Sequence, residues 1–216
     1  TYSVGLVGSK AKVYVSELVN TTYPITVKYL GDDKYAPSEN ITQHIYVNKI
    51  SSYDFYVVAS DTIVGGNSTV TVYMPSDADG NITIGTKTAK VVGGKAVIVL
   101  DKETRAVEDK EVTVTYGHDS KYADKTGTDT YDVGKAPSSV KIEVGSLYVI
   151  GDTVEIKLTA VNGTPTVNIN GQYYTVTDNK VTFKASVTGP YIVVANIADD
   201  DDYSGSSDFN VFNIIK

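Results

Sequence analysis

The stretch GSKAKVYVSELVNTTYPITVKYLGDDKYAPSENITQHIYV, residues 8–47, sets the frame for the whole chain, because its landmarks return twice in the same order. Lys10, Lys95 and Lys180 each follow a Gly or Asp/Asn turn and open an alternating apolar run, 85 residues apart each time. Each run is followed by a second one that leads into an acidic loop and a tyrosine: Gly31-Asp32-Asp33-Lys34-Tyr35, His118-Asp119-Ser120-Lys121-Tyr122, and Asp199-Asp200-Asp201-Asp202-Tyr203. Self-similarity at a fixed period marks a repeat architecture, so the fold of one copy decides the fold of the chain.

Within the copies the apolar period is two. Ala11, Val13 and Val15 alternate with Lys12 and Tyr14, and Ile25, Val27 and Tyr29 alternate with Thr26 and Lys28. That alternation predicts half-buried strands. The second copy, residues 51–134, adds opening strands over Tyr53–Ser60, Thr69–Met74 and Asn81–Gly85. The third, residues 136–216, matches it strand for strand, with an Asn170-Gly171 hairpin signal before Tyr173–Thr177. Asn-Gly suits a type I′ turn because both residues accept positive φ. About seven short strands per full copy, with turns every 8–12 residues, predict an all-β chain of tandem immunoglobulin-like β-sandwich domains. Residues 1–50 match only the later half of a full copy, so the first domain is expected to be incomplete as given.

Length and charge narrow the function. A chain of 216 residues with 41% hydrophobic content supports one to three ordinary cores. Its net charge of −7 argues against nucleic-acid backbones and anionic membranes, both of which need a basic face. With no cysteine, there is no disulfide, thiolate metal site or cysteine nucleophile. No apolar run is long enough to span a membrane.

The frame Tyr23-Pro24-Ile25-Thr26-Val27-Lys28-Tyr29-Leu30-Gly31-Asp32-Asp33-Lys34-Tyr35, and Gly189-Pro190-Tyr191-Ile192-Val193 ahead of Tyr203, resembles the bacterial Ig-like repeats of adhesin-like surface proteins of methanogenic archaea. The resemblance covers the whole chain if the first copy counts as a partial domain. It implies a non-enzymatic, extracellular, cell-surface or wall-associated protein whose repeated modules form a stalk and an adhesion surface. It also implies partners that are surface proteins or glycans of a host or neighbouring cell. Copy two departs from the pattern where Glu108-Asp109-Lys110 replaces the Tyr-Pro or Pro-Tyr element, so its corner is expected to be built differently.

Several residue groups invite a chemical reading. Asp199, Asp200, Asp201 and Asp202 cluster on one loop and are calcium candidates, since Ca²⁺ takes six to eight oxygens. Solvated turn-forming aspartates explain the same loop, which lacks the alternate Asp-x-Asp-x-Asp order with a closing Glu. Tyr35, Tyr122 and Tyr203 are expected to cover sandwich ends. Tyr191 and Tyr23 stand where a tyrosine corner bonds back to upstream backbone. Asn20, Asn40, Asn67, Asn81 and Asn162 begin glycosylation sequons. Lys141 with Asn210 or Asn213 is a candidate pair for a self-formed crosslink. His44 and His118 lie in different copies and no catalytic constellation assembles around either, so no enzyme and no cofactor beyond calcium is expected.

Two functions fit: a stalk and adhesion module, or a dedicated carbohydrate- or protein-ligand module built on exposed tyrosines such as Tyr14, Tyr46, Tyr173 and Tyr174. Repetition favours the first, because length is gained without a new fold. The half-domain of residues 1–50 would expose Val13, Val15, Ile25 and Val27, and closure against a second chain in a homodimer is expected.

Overall fold

The computed structural model describes Thr1–Lys216, the side chain of Thr42 lying outside the described residues. In chain order the strands are β1 (Thr22–Tyr29), β2 (Ser38–Tyr46), β3 (Tyr56–Ala59), β4 (Thr62–Ile63), β5 (Asn67–Tyr73), β6 (Asn81–Ile84) and β7 (Lys87–Lys90). Then come β8 (Lys95–Lys102), β9 (Val107–Gly117), β10 (Lys125–Gly134), β11 (Ala136–Pro137), β12 (Ser139–Glu143) and β13 (Leu147–Val149). The chain ends through β14 (Thr153–Val161), β15 (Thr166–Ile169), β16 (Gln172–Tyr174), β17 (Lys180–Lys184), β18 (Gly189–Ile197), β19 (Tyr203–Ser204) and β20 (Ser206–Ile215).

The two full copies share one topology. Copy two has a three-stranded sheet β3-β5-β8 and a five-stranded sheet β4-β10-β9-β6-β7; copy three has β12-β14-β17 and β13-β20-β18-β15-β16. The order is the same once each strand is replaced by its counterpart, which establishes tandem immunoglobulin-like sandwiches. The Lys landmarks are also local structures: Val7↔Lys10, Val92↔Lys95 and Thr177↔Lys180 are isolated antiparallel bridges. The two residues inside each bridge, Gly8-Ser9, Gly93-Gly94 and Asp178-Asn179, all have positive φ of 52–76°. That is the tight hairpin geometry Gly, Asn and Asp favour.

By compactness the chain divides into two units, one of Thr1–Val58, Thr71–Ile98 and Thr113–Asp129, the other of Ala59–Val70, Val99–Val112 and Thr130–Lys216. In the first unit, β1 and β2 form a two-stranded antiparallel sheet with a bulge between Ile25 and Val27. Its core comes from Val72, Ile82, Ala96, Ile98, Val114 and Tyr116, all buried. Residues 11–19 carry the alternation of a strand yet form none. Their counterparts in the full copies, β8 and β17, pair with β5 and β14; among the described residues no strand pairs with residues 11–19, and an alternating run without a neighbouring ladder leaves its backbone groups to water. Val13, Val15 and Val27 are exposed and Ile25 is half-buried.

In the second unit, β18 pairs with β20 along Gly189–Ile197 and with β15 at its far end, while β12, β14 and β17 form the facing layer. Val154, Ile156, Val167, Val193, Ala195 and Phe212 fill the space between the layers. Phe212 stacks on Tyr191 at 5.2 Å between ring centres and meets Tyr148 edge-on at 5.5 Å. Such aromatic pairs add to the free energy of area burial. Alternation places Val181, Ala185 and Ile197 inward, with Phe183 partly buried against the same core.

Candidate functional site

The acidic loops are three editions of one backbone clip. Asp32 Oδ1 accepts the N–H groups of Lys34 at 2.8 Å and Tyr35 at 2.9 Å. Asp119 Oδ1 accepts those of Lys121 at 2.6 Å and Tyr122 at 2.9 Å. Asp200 Oδ1 accepts those of Asp202 at 2.9 Å and Tyr203 at 2.7 Å. The bonded amides always lie two and three residues on, so the clip needs an aspartate, with a carboxylate short enough to reach its own turn, and backbone N–H groups at those two places; a tyrosine stands at the second of them in all three copies. In the first two copies a tyrosine three residues earlier donates to the second oxygen: Tyr29 to Asp32 at 2.5 Å, and Tyr116 to Asp119.

Asp119 is the most engaged of the set, being 3% exposed and also accepting the Asp79 N–H at 2.9 Å. Burial pushes its carboxyl upward, but the Tyr116 hydroxyl and the N–H groups of Tyr122, Asp79 and Lys121 outweigh that, and it sits below the ordinary carboxylate range. Burial and the same bond push the Tyr116 hydroxyl up. Tyr122, buried beside the clip, donates to Asp77 at 2.7 Å, whereas Tyr35 in the half copy is exposed.

At the third loop the four candidate calcium ligands have separate tasks. Asp199 pairs with Lys135 at 2.5 Å and accepts Gly205 N–H at 3.2 Å; Lys135 first, then Gly205, hold its carboxyl below the usual range. Asp202 reaches out of its own loop to accept the Ala106 N–H at 2.9 Å, while its carbonyl accepts the Ala136 N–H at 3.0 Å. Asp200 closes the clip and Asp201 is exposed. Among the described residues no three carboxylates or imidazoles gather into a group able to hold a metal.

The corner of copy two is rebuilt around an ion pair. In copies one and three the Tyr23 hydroxyl donates to Val19 O at 3.3 Å and the Tyr191 hydroxyl to Val187 O at 3.1 Å. Counting back from the clip aspartates, the matching residue in copy two is Lys110, whose Nζ lies 2.6 Å from Oε2 of the buried Glu103. Tyr131 donates to Glu103 Oε1 at 2.7 Å, and Glu103 brackets Gly65 and Gly66 through its backbone. Burial raises the Glu103 carboxyl, and the Lys110 and Tyr131 bonds more than reverse it, so it titrates low. The sequence departure at Glu108-Asp109-Lys110 marked this corner, but nothing in it pointed to Glu103.

The remaining candidates scatter. Asn20, Asn40, Asn67 and Asn162 are exposed and Asn81 is half-buried in β6. The side-chain nitrogens of Asn67 and Asn162 donate to Leu100 O at 2.7 Å and Pro137 O at 3.0 Å. The Thr42 hydroxyl of the Asn40 sequon lies outside the described residues. The Lys141 side chain is 72% exposed, with its ammonium 3.9 Å from Glu143, in contrast to the buried lysine a crosslink needs, because β12 turns that side of the strand to solvent. His44 and His118 are both exposed.

No protein-family model and no curated protein matches the chain. Among solved structures it is similar to the fibronectin(III)-like modules of Clostridium thermocellum CbhA, at 14% identity over 74% of this chain and 93% of that one, with a TM-score of 0.30. It is also similar to FdeC, an Escherichia coli adhesin, at 14% identity over 83% and 73% with a TM-score of 0.28. A third is the C-terminal fragment of intimin, solved in complex with the intimin-binding domain of its translocated receptor, at 12% identity over 74% and 64% with a TM-score of 0.28.

Proposed function

We propose that this chain is a segment of a non-enzymatic, adhesin-like surface protein whose Ig-like copies act as stalk and adhesion surface, facing a surface protein or glycan of a neighbouring cell. Archaeal origin and extracellular placement belong to the same proposal. The observation that carries it is the repeated clip: in each copy an aspartate of the acidic loop holds its own turn, and in the third copy Asp202 is also tied to Ala106. Repeating one module with a secured junction is how a chain gains reach.

The competing reading is a dedicated sugar module on exposed tyrosines. A glycan array probed with the whole chain separates the two. The stalk reading expects no glycan whose capture is abolished by a single alanine substitution at Tyr14, Tyr46, Tyr173 or Tyr174; one such glycan overturns it.

A further inference from the structure

The outer face of the five-stranded sheet in copy three is apolar in register. Val194 of β18 stands opposite Phe209 of β20 on one side and Asn168 of β15 on the other, and Asn168 stands opposite Tyr173 of β16. Residues opposite one another in a ladder point to the same side, and residues two apart share a face. The inward set of the same strands is Val167, Val193, Ala195 and Phe212, so this row faces away from the core. Phe209 is 71% exposed and Tyr173 73%. The next row on that face pairs Ile192 with Val211, both exposed, and beyond it Leu147 and Val149 of β13 lie beside Asn213 and Ile215.

The fold does not require this composition. In copy two the same position of the same sheet is polar: Thr83 stands opposite Thr88 and Thr115, and Thr113, Thr126 and Thr128 are exposed on the neighbouring strands. A Cβ added at Gly127 would meet Phe55 and Val57, which fixes Thr126 and Thr128 on the outer side. One topology thus carries two outer faces, hydroxyl-lined in one copy and branched-aliphatic and aromatic in the next.

We infer that this face of copy three is a self-association surface, covered in solution by the same face of a second chain. Three features select that occupant. From the exposed fractions of its apolar and aromatic residues, their accessible surface comes to roughly 800 Å², close to the share each partner contributes to a standard interface and above the largest patch usual on a monomer. None of the face positions named carries a charge, in a chain whose net charge of −7 would repel a second copy elsewhere. The surface is a sheet face, and two sheet faces pack about 10 Å apart with their side chains interleaved. A two-fold arrangement then lets each copy bury the same patch, with the amides of Asn168 and Asn213 able both to donate and to accept across it. The inference goes beyond the adhesive reading and does not depend on it.

Sedimentation of the intact chain over a concentration series tests this. The expected result is a monomer–dimer equilibrium whose Kd rises at least about tenfold in Val211→Lys and in Phe209→Ser, with Thr113→Lys on the polar face of copy two leaving it unchanged. Unaltered far-ultraviolet dichroism and melting of the variants separate lost association from lost folding, and a face variant that fails to fold is replaced by Ile192→Lys. A chain that stays monomeric up to about 1 mM overturns the inference. So does a dimer indifferent to the face substitutions, including one abolished by Val27→Lys, which would place association at residues 1–50.

Discussion

Lys110 sets its ammonium 2.6 Å from the carboxylate of Glu103, at the position of copy two where copy three carries Tyr191. A neutral corner and an ionic one therefore serve the same turn of the same fold. They respond differently to loss of a partner. Removing a tyrosine hydroxyl leaves a carbonyl that water can reach, whereas removing the lysine leaves a buried carboxylate with only Tyr131 for company. We predict that Lys110→Ala destabilises the chain by about 2 kcal/mol, less than breaking a fully buried pair because the lysine side chain is 42% exposed, and that adding Glu103→Gln restores part of it. Tyr191→Phe should cost only about 1 kcal/mol. Urea unfolding of the four proteins gives the comparison.

Acid should cost the Asp119 clip more than the exposed ones. Its carboxyl titrates below the ordinary range in the folded chain, so the stability it contributes is present above the unfolded value near 3.8 and fades as pH falls through the folded one. The wild type should lose melting temperature steadily below about pH 4, and Asp119→Asn should be less stable at neutral pH with a flatter decline in acid. Asp32 is also held low, by the Tyr29 hydroxyl and then the N–H groups of Lys34 and Tyr35, but on an exposed clip, so Asp32→Asn should shift the acid profile in the same sense and by less. Melting curves between neutral pH and strong acid decide it.

The strands and their grouping were legible because alternation, Asn-Gly turns and an 85-residue period are all local signals. The tyrosine corners were legible for the same reason: Tyr23 and Tyr191 stand near the starts of corresponding strands, β1 and β18. What could not be read from order alone was partnership across distance. At the acidic loops sequence shows charge but not where each oxygen points; the constant Asp-x-x-Tyr spacing was the available clue to the clip. Glu103 was invisible, since its partners Lys110 and Tyr131 are set by the fold of a corner unique to copy two. The outer face of copy three shows the same gap: Phe209 and Phe212 look alike in sequence, and only register separates the exposed ring from the buried one.

Gly80 has no side chain because the fold leaves no room for one. A Cβ there would come within 2.4 Å of Gly117 O and 2.7 Å of the Tyr116 ring, and neither the backbone nor a buried ring inside the clip can retreat. Gly80→Ala should lower stability by about 2 kcal/mol or more, on the scale of overpacking a well-filled core. Gly85→Ala meets open space and should be penalised only for its positive φ of 56°. Thermal denaturation of the two variants should rank Gly80→Ala below Gly85→Ala.

Asp202 holds two pieces of chain by two different atoms. Its carboxylate accepts the Ala106 N–H and its carbonyl accepts the Ala136 N–H, so the loop of copy two and the first strand of copy three meet on one residue. Removing the side chain deletes the first bond and leaves the second, which belongs to the backbone ladder of β11 and β19. Asp202→Ala should therefore speed amide exchange at Ala106 by about tenfold, the effect of losing one charge-assisted hydrogen bond, while the Ala136 amide keeps its protection. Lys135→Ala, which removes only the exposed pair with Asp199, should change neither amide, since exposed ion pairs contribute little. If the carboxylate is not what secures Ala106, exchange there will be the same in Asp202→Ala as in the wild type.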